Sequence, residues 1–453
     1  MSLSDLLGIG RSALLAQQRA LTVTAHNLAN AQTPGYSRRS LTLRASASYG
    51  QGGGWYGSGV TDEGTVRIRD QFLDAAYRRQ ASSFGGASVL KDHLAQIESA
   101  VGEPSDAGVA EALDTFFQSF ADLANAPDSD ASRQTVAAAS RQLISRLHDL
   151  DASITDASAQ AAERLRAGVT ETNDLTRRIA AFNAQIVSAG GSGEGAPDLE
   201  DQRDLLIDRL AELMPIQVQE RDDGSSDITA AGQTLVQGAS ATEITVAGRE
   251  GGGYSLAIGS GVAITPESGA LSALTTLSNE TIPGFREKLD LFARTLVEQV
   301  NAIHRDGTTG SGRTQSDFFD PQGVTAGTIA LASGVASSID EIATGATGEP
   351  GDNSTAIRIG GLGSAPIESL GGSTIRGLYQ EFVSTVATAS NNAETDLEAR
   401  QTMVESTDGE RMNVSGVSVD EETIRLVSQQ EAFSAAARLV QVASEMIDQI
   451  LSI

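Results

Sequence analysis

The chain has 453 residues, with 59 Asp and Glu against 32 Lys and Arg and a formal charge of −27. That balance excludes a nucleic-acid grip, which needs clustered cations to displace counterions; neither lysine, Lys91 nor Lys288, follows the glycine that a phosphate-binding G-x-x-x-x-G-K loop requires. No cysteine is present, which excludes disulfides, zinc ribbons and thiol catalysis, and aromatics at 4% with 47 glycines predict thin cores of Ala, Leu, Ile and Val.

The first thirty residues carry Leu7, Leu14, Leu21 and Leu28, one leucine every seven positions on a narrow helical stripe. The opening MSLSDLLGIGRSALLAQQ lacks the cationic start and continuous greasy stretch of a secretory signal. Pro34-Gly35 must break this helix, and Tyr36 anchors the segment beyond the break. Residues 48 to 59, SYGQGGGWYGSG, read as a linker loop. Leu90, Leu94, Ile97 and Val101, then Leu113, Phe117, Phe120 and Ala124, mark two helices.

From Val136 through Leu143, Leu150, Ile154, Leu165, Leu175 and Ile179 to Ile186, apolar residues step by three and four with one longer jump and no proline. Some fifty residues of this pattern predict a rod about 75 Å long, which needs helical partners along its length. A further helix (Leu199, Leu206, Leu210, Leu213) stops at Pro215. On it Asp201, Asp204 and Asp208 share a face near Glu200. They could gather a hard cation, but acids at a helix start also complement its dipole, here with Arg203 and Arg209 in support, and that reading is preferred.

The period then becomes two, with Ile216 and Val218, Ile244 and Val246, and Tyr254, Leu256 and Ile258, broken at Asp223-Gly224 and Gly251-Gly252-Gly253. Residues 216–275 are expected to form an inserted β domain. Ile282 to Ile303 resumes the helix. Residues 307–365, rich in Gly, Ser and Thr, read as a second insertion, weakly β and exposed. Ile375, Leu378, Phe382, Ala389 and Ala393 return to helix, and the chain closes with Val419, Leu426, Phe433, Val440 and Ile447 behind a capping-box start of Ser418 and Glu421. Residues 1 to 44 sum to +4 and residues 417 to 453 to −4, so two apolar seams of opposite charge are expected to pack together.

The expected fold is mainly α with β insertions: paired terminal helices, an elongated discontinuous helical bundle and an outer β-rich part. Residues 1–60 and 405–453 form the terminal module, and 61–215, 276–306 and 366–404 the bundle. The four histidines are scattered without an H-E-x-x-H arrangement, GGSGEG at 190 to 195 lacks the aspartate of a calcium-binding β-roll turn, and no nucleophile has its base. No catalytic residue, cofactor or metal is assigned. No apolar run reaches the roughly 18 residues of a membrane span.

The segment AHNLANAQTPGYSRR, carrying Asn27, Asn30, Thr33, Pro34, Gly35 and Tyr36, resembles the signature of flagellar axial proteins, the family that builds rod, hook and hook-associated segments. Residues 415 to 451, with SGVSVDEE and QQEAFSAAARL, resemble its hook-associated members, as do residues 66 to 80, 108 to 134, 198 to 218, VEQVNAIHRDG at 297 to 307 and DFF at 317 to 319. The resemblance implies a non-enzymatic subunit of the extracellular flagellum. It would be exported by the flagellar apparatus, with a chaperone on its C-terminal helix. It would then assemble with copies of itself, with hook protein and with hook-associated protein 3, through a seam of Leu7, Leu14, Leu21, Leu28, Leu426, Phe433, Val440 and Ile447. The terminal helices would be loosely paired in the free subunit. The alternatives are a distal rod or hook subunit, or a secreted hydrolase or adhesin working through its β insertions.

Overall fold

The leucine-spaced start forms helix α1 (Leu3–Ala29) in the computed structural model, which describes residues 3–51, 54–190, 196–249 and 252–451. Most of the GGSGEG run and Gly251 of the glycine turn lie outside the described residues. After α1, strands β1 (Arg39–Ala45) and β4 (Val60–Arg67) pair antiparallel, and between them β2 (Tyr49–Gln51) pairs with β3 (Gly54–Tyr56). The stretch read as a linker therefore contains two paired strands, Tyr49–Gln51 and Gly54–Tyr56, flanked by the longer pair β1 and β4.

Helix α2 (Gln71–Val101) starts at Asp70, whose carboxylate accepts the Phe72 and Leu73 amides, and ends at Gly102, left-handed at φ 58°. Helix α3 (Val109–Asn125) follows, then α4 (Asp130–Gly190), whose 61 residues make a rod about 90 Å long. Its buried apolar residues run from Val136 to Ile186, the stripe that the periodicity marks. Helix α5 (Pro197–Leu213) packs alongside, started by Pro197.

Strands β5 (Gln217–Glu220), β6 (Ser226–Ala230), β7 (Gln233–Gln237) and β8 (Ser240–Ala241) form one sheet in sequence order. A second sheet takes β9 (Ile244–Gly248), β10 (Tyr254–Ile258) and β11 (Val262–Ile264), with β10 central. The chain returns through α6 (Ala270–Thr276), a π-helical turn at Leu277–Thr281 and α7 (Ile282–Arg305) as one continuous helix. Pro283 has no N–H for the helical ladder, and the π turn before it absorbs the displaced carbonyls.

The next region departs from expectation. Between β12 (Thr308–Thr309), α8 (Ser333–Ser337), β13 (Ala343–Gly345) and α9 (Ser354–Gly361), the chain lies on the bundle instead of standing exposed. Phe318, Phe319, Ile329, Val335 and Ile342 are buried. Phe318 meets Phe120 edge-on at 5.4 Å and Phe319 at 5.0 Å; each such buried ring contributes about 2 to 3 kcal/mol. Helix α10 (Ile375–Ser415) then runs back along α2 and passes residue 404 unbroken. The turn Gly416–Ser418 leads into α11 (Val419–Leu451).

Asparagines fasten each accessory piece to this frame. A carboxamide can offer a donor and an acceptor side by side, so it pairs with a strand edge as another backbone would. Asn173 of α4 exchanges both bonds with Ile244 at 2.8 Å. Asn183 binds Ser226 and Gly238. Asn279, in the π turn, exchanges two bonds with Tyr254, and Asn301 of α7 holds Phe318 and Phe319.

Candidate assembly interface

The residues following α1 make a knot around Asn27. Pro34-Gly35 ends the helix, and Gly35 takes φ 77° with the Leu205 side chain where a Cβ would stand. That turn brings Tyr36 back so that its hydroxyl donates to Asn27 Oδ1 at 2.8 Å. The same oxygen accepts the Arg39 amide at 3.0 Å. Asn27 Nδ2 donates to the Arg39 carbonyl at 2.9 Å and to Glu422 Oε2 of α11 at 3.0 Å. A buried carboxamide is thereby saturated, and a buried carboxylate gains a donor. Burial pushes the Tyr36 phenol up to about 12, against the opposing pull of the Arg39 guanidinium 4.9 Å from its ring, so the phenol keeps the proton it donates. Asn30 caps its own turn by donating to the His26 carbonyl, and Thr33 donates to Asn30 Oδ1.

Beyond the knot α1 and α11 run antiparallel, with Asn27 opposite Glu422 and Gly10 opposite Val440. The closest approach is made by small residues. A Cβ on Gly10 would lie 2.6 Å from Val440 Cγ2, and Ala16, Ala20 and Thr24 on α1 and Ala443 on α11 are buried. Leu7, Leu14, Leu21, Leu28, Leu426, Val440 and Ile447 are half-buried, and Phe433 is 36% exposed. Glycine and alanine let the helix axes come close, so the leucines flank the contact instead of filling it. An ion pair between the two terminal segments joins Arg38 to Glu421 at 3.2 Å. Glu421 is thereby drawn from the capping box, and only its amide meets Ser418 Oγ, at 3.4 Å.

The terminal module is tied to the bundle through buried ion pairs. The acid face of α5 receives arginines from the hairpin, from the start of α2 and from the end of α10. Arg67 reaches Glu200, Asp201 and Asp204 at 2.6, 2.9 and 2.7 Å. Arg39 pairs with Asp198. Arg69 bridges Asp74 and Asp204, and Arg78 and Arg411 both bind Asp208, at 2.7 and 2.6 Å. Arg411 also lies 3.9 Å over the Tyr77 ring. Burial alone would raise the Asp204 pKa, but Arg69, Arg67 and Arg78 outweigh it and hold the carboxyl below the usual carboxylate range.

Of the two arginines expected to support this face, Arg203 does so in part and Arg209 does not. Arg203 donates from Nη1 to Asn183 and the Gly224 carbonyl while its Nε stays 3.8 Å from Asp204, whereas Arg209 pairs with Glu171 and Glu212. Sequence reasoning also missed Gly10, Ala20 and Glu422 in the terminal pair; the three-and-four spacing of Gly10, Ala13, Gln17, Ala20, Thr24 and Asn27 carried the signal. Among the described residues no His, Asp and Glu cluster could hold a metal ion, and no helix is long and apolar enough to cross a membrane. A cleft of about 800 Å³ between α2 and the two sheets has Arg78, Arg79, Glu220 and Glu267 on its walls.

The terminal pair and its knot occupy the segments that match two family descriptions, flagella basal body rod protein at residues 7–36 and flagellar basal body rod FlgEFG protein C-terminal at 409–453. These ends and the bundle between them define a flagellar axial protein. Residues 94–319 match the flagellar hook-associated protein FlgK helical domain. Flagellar hook-associated protein 1 of Bacillus subtilis is 28% identical over 98% of this chain and 97% of its own length. The protein of that name from Salmonella typhimurium is 27% identical over 70% of this chain, which spans 59% of that relative. The fold is shared with the flagellar hook junction protein FlgK from Burkholderia pseudomallei, at a TM-score of 0.67 and 15% identity over 76% of this chain and all of that one. The chain belongs to the flagellar hook-associated protein 1 family.

Proposed function

We propose that the protein is the structural subunit of a short ring joining hook to filament, built by contacts between the terminal helices of neighbouring copies. The observation that carries this reading is an uncovered apolar stripe on α11. Ile424, Val427, Val442, Met446 and Ile450 are all exposed, Ile424 at 71%, although α11 is already paired with α1. A helix paired on one face and apolar on another has a second surface to bury. Covering a side chain of that size contributes about 1.5 to 3 kcal/mol. Copies related by rotation about an axis bury such stripes head to tail.

In this reading hook protein lies on one side of the ring and hook-associated protein 3 on the other. A chaperone covers α11 before export through the flagellar apparatus, and the cysteine-free composition suits passage as an uncrosslinked chain. The role is mechanical, with no catalytic step. Labelling the protein on isolated flagella tests this: a thin band at the hook-to-filament boundary is expected, whereas label along the hook or in the rod would overturn it in favour of another axial subunit. Leu21 and Val440 are half-buried within the pair, so substitutions there disturb pairing together with assembly. The exposed Ile424 and Val442 separate the two. Ile424→Asp with Val442→Asp should leave the fold intact by circular dichroism and abolish motility; normal motility would refute the assignment.

A further inference from the structure

The last two turns of α7 carry a second knot, made by Asn301 and His304 on one face of the helix. Asn301 Oδ1 accepts the Phe318 and Phe319 amides, both at 2.9 Å, and its Nδ2 donates to the Phe319 carbonyl at 2.9 Å. His304 Nε2 lies 3.0 Å from the Ala343 amide nitrogen and Nδ1 lies 2.7 Å from the Ser316 carbonyl oxygen. These partners fix the tautomer. A backbone N–H can only donate, so Nε2 is the acceptor, and the proton sits on Nδ1, where it meets a carbonyl that can only accept. The ring is buried and packs edge-on against Phe318 at 5.5 Å. One imidazole thus joins two distant points of the 307–365 region to the bundle.

We propose that His304 is an acid-sensitive fastener: a proton added at Nε2 turns the acceptor of the Ala343 amide into a second donor, and the segment around Ala343 is released from α7 while the Ser316 end stays bound. Two donors facing each other in a buried site lose their bond and leave both groups unsatisfied. The charged groups around the ring do not remove this conflict. Asp317 is engaged by Arg305 at 2.6 Å and Glu341 by Arg313 at 3.4 Å. Arg133 donates to the Ile342 carbonyl, one residue from the Ala343 amide. Burial lowers the imidazole pKa, and the Ser316 bond with the Asp317 and Glu341 charges only partly opposes it. Asn301 does not titrate, so its three bonds persist and release is confined to the side of the loop that His304 holds.

Hydrogen exchange on the full chain tests this. In the released state the ring titrates near its ordinary value of 6.5, so the open population should grow about tenfold between pH 7.5 and 5.5. Corrected for intrinsic exchange, protection of the amides at 342 to 345 should fall about tenfold, while the amides of β9 and β10 in the separate β domain keep theirs. In His304→Gln a side-chain carbonyl can still accept from Ala343 but does not titrate, and protection there should not respond to pH. Unchanged protection in the native chain, or an equal fall in the glutamine variant, would overturn the proposal. Imidazole nitrogen resonances decide independently of any variant. A neutral ring protonated on Nδ1 that titrates only as the loop amides exchange supports it. A ring that titrates near 6.5 while those amides stay protected refutes it.

Discussion

Replacing Asn27 by Asp isolates the knot at the base of the terminal pair, because shape is kept and only the amide nitrogen becomes an oxygen. In the native chain that nitrogen donates to the Arg39 carbonyl and, at 3.0 Å, to Glu422 Oε2. In the variant two carboxylates face each other across this distance. At an effective dielectric constant near 20 their repulsion is about 5 kcal/mol. The introduced carboxyl can escape by taking a proton, and then donates to Glu422 in place of the lost N–H. Escape at pH 7.5 costs about 5 kcal/mol relative to an ordinary Asp near 3.9, and at pH 5.5 about 2 kcal/mol. The introduced group has a folded-state pKa raised above its unfolded value, so the variant's deficit is small at low pH and grows as pH rises. Hydrogen exchange of α1 and α11 amides, read against the native chain at both pH values, should show the pair opening at pH 7.5 and largely restored at pH 5.5. A variant matching the native chain at pH 7.5, or equally weakened at both values, would refute the argument that Asn27 and Glu422 hold the pair.

Gly10→Val should drive the distal halves of α1 and α11 apart, since a Cβ there would lie 2.6 Å from Val440 Cγ2 and 2.9 Å from Leu439 Cδ2; faster exchange of amides 436 to 447, with those near Glu422 unaffected, is the expected outcome. Arg411→Met removes the 2.6 Å bond to Asp208 and the contact with Tyr77, and should lower stability by about 3 kcal/mol in urea denaturation; Arg411→Lys should recover only part, because an ammonium cannot reproduce the flat guanidinium over the ring. His93 is buried with neither ring nitrogen bonded, and burial followed by the Arg164 charge lowers its pKa. Its contribution is therefore intact above about pH 6.5 and lost as pH falls, by up to about 1.4 kcal/mol per unit, so His93→Leu should flatten part of the acid limb of a stability-against-pH curve.

Periodicity alone revealed the helices whose stripes are long and greasy. Val136 to Ile186 marks α4 because apolar residues recur at steps of three and four, with one longer jump, over some fifty positions, more than chance or turn chemistry would produce. The same method found Val440 but not its partners in the terminal contact, since hydropathy weights leucine and overlooks Gly10, Ala16 and Ala20, whose value lies in what they leave out. The β1 to β4 hairpin escaped notice because RSLTLRA faces solvent over its second half, and VTDEGTVR, half-buried at most, carries only two large apolar side chains, Val60 and Val66. In 307–365 composition misled for another reason. The Gly, Ser and Thr content is real, but Phe318 and Phe319 are held inward by Asn301 and His304, which belong to a different element. The ion-pair junction was half readable: the acids of α5 share a face in the sequence, while their arginines come from three separated segments that only the tertiary fold collects.

The antiparallel pairing of the first and last helices has a temporal corollary. Asn27 and Glu422 stand 395 positions apart, so the loop that their contact closes is nearly the whole polypeptide. Contacts of such separation form late, after local helices and hairpins are in place. A chain delivered from one end to the other shows its leading helix to the surroundings long before the mate arrives. A copy cut short before Glu422 cannot make this contact, so a closed pair implies that everything between its two helices has been joined.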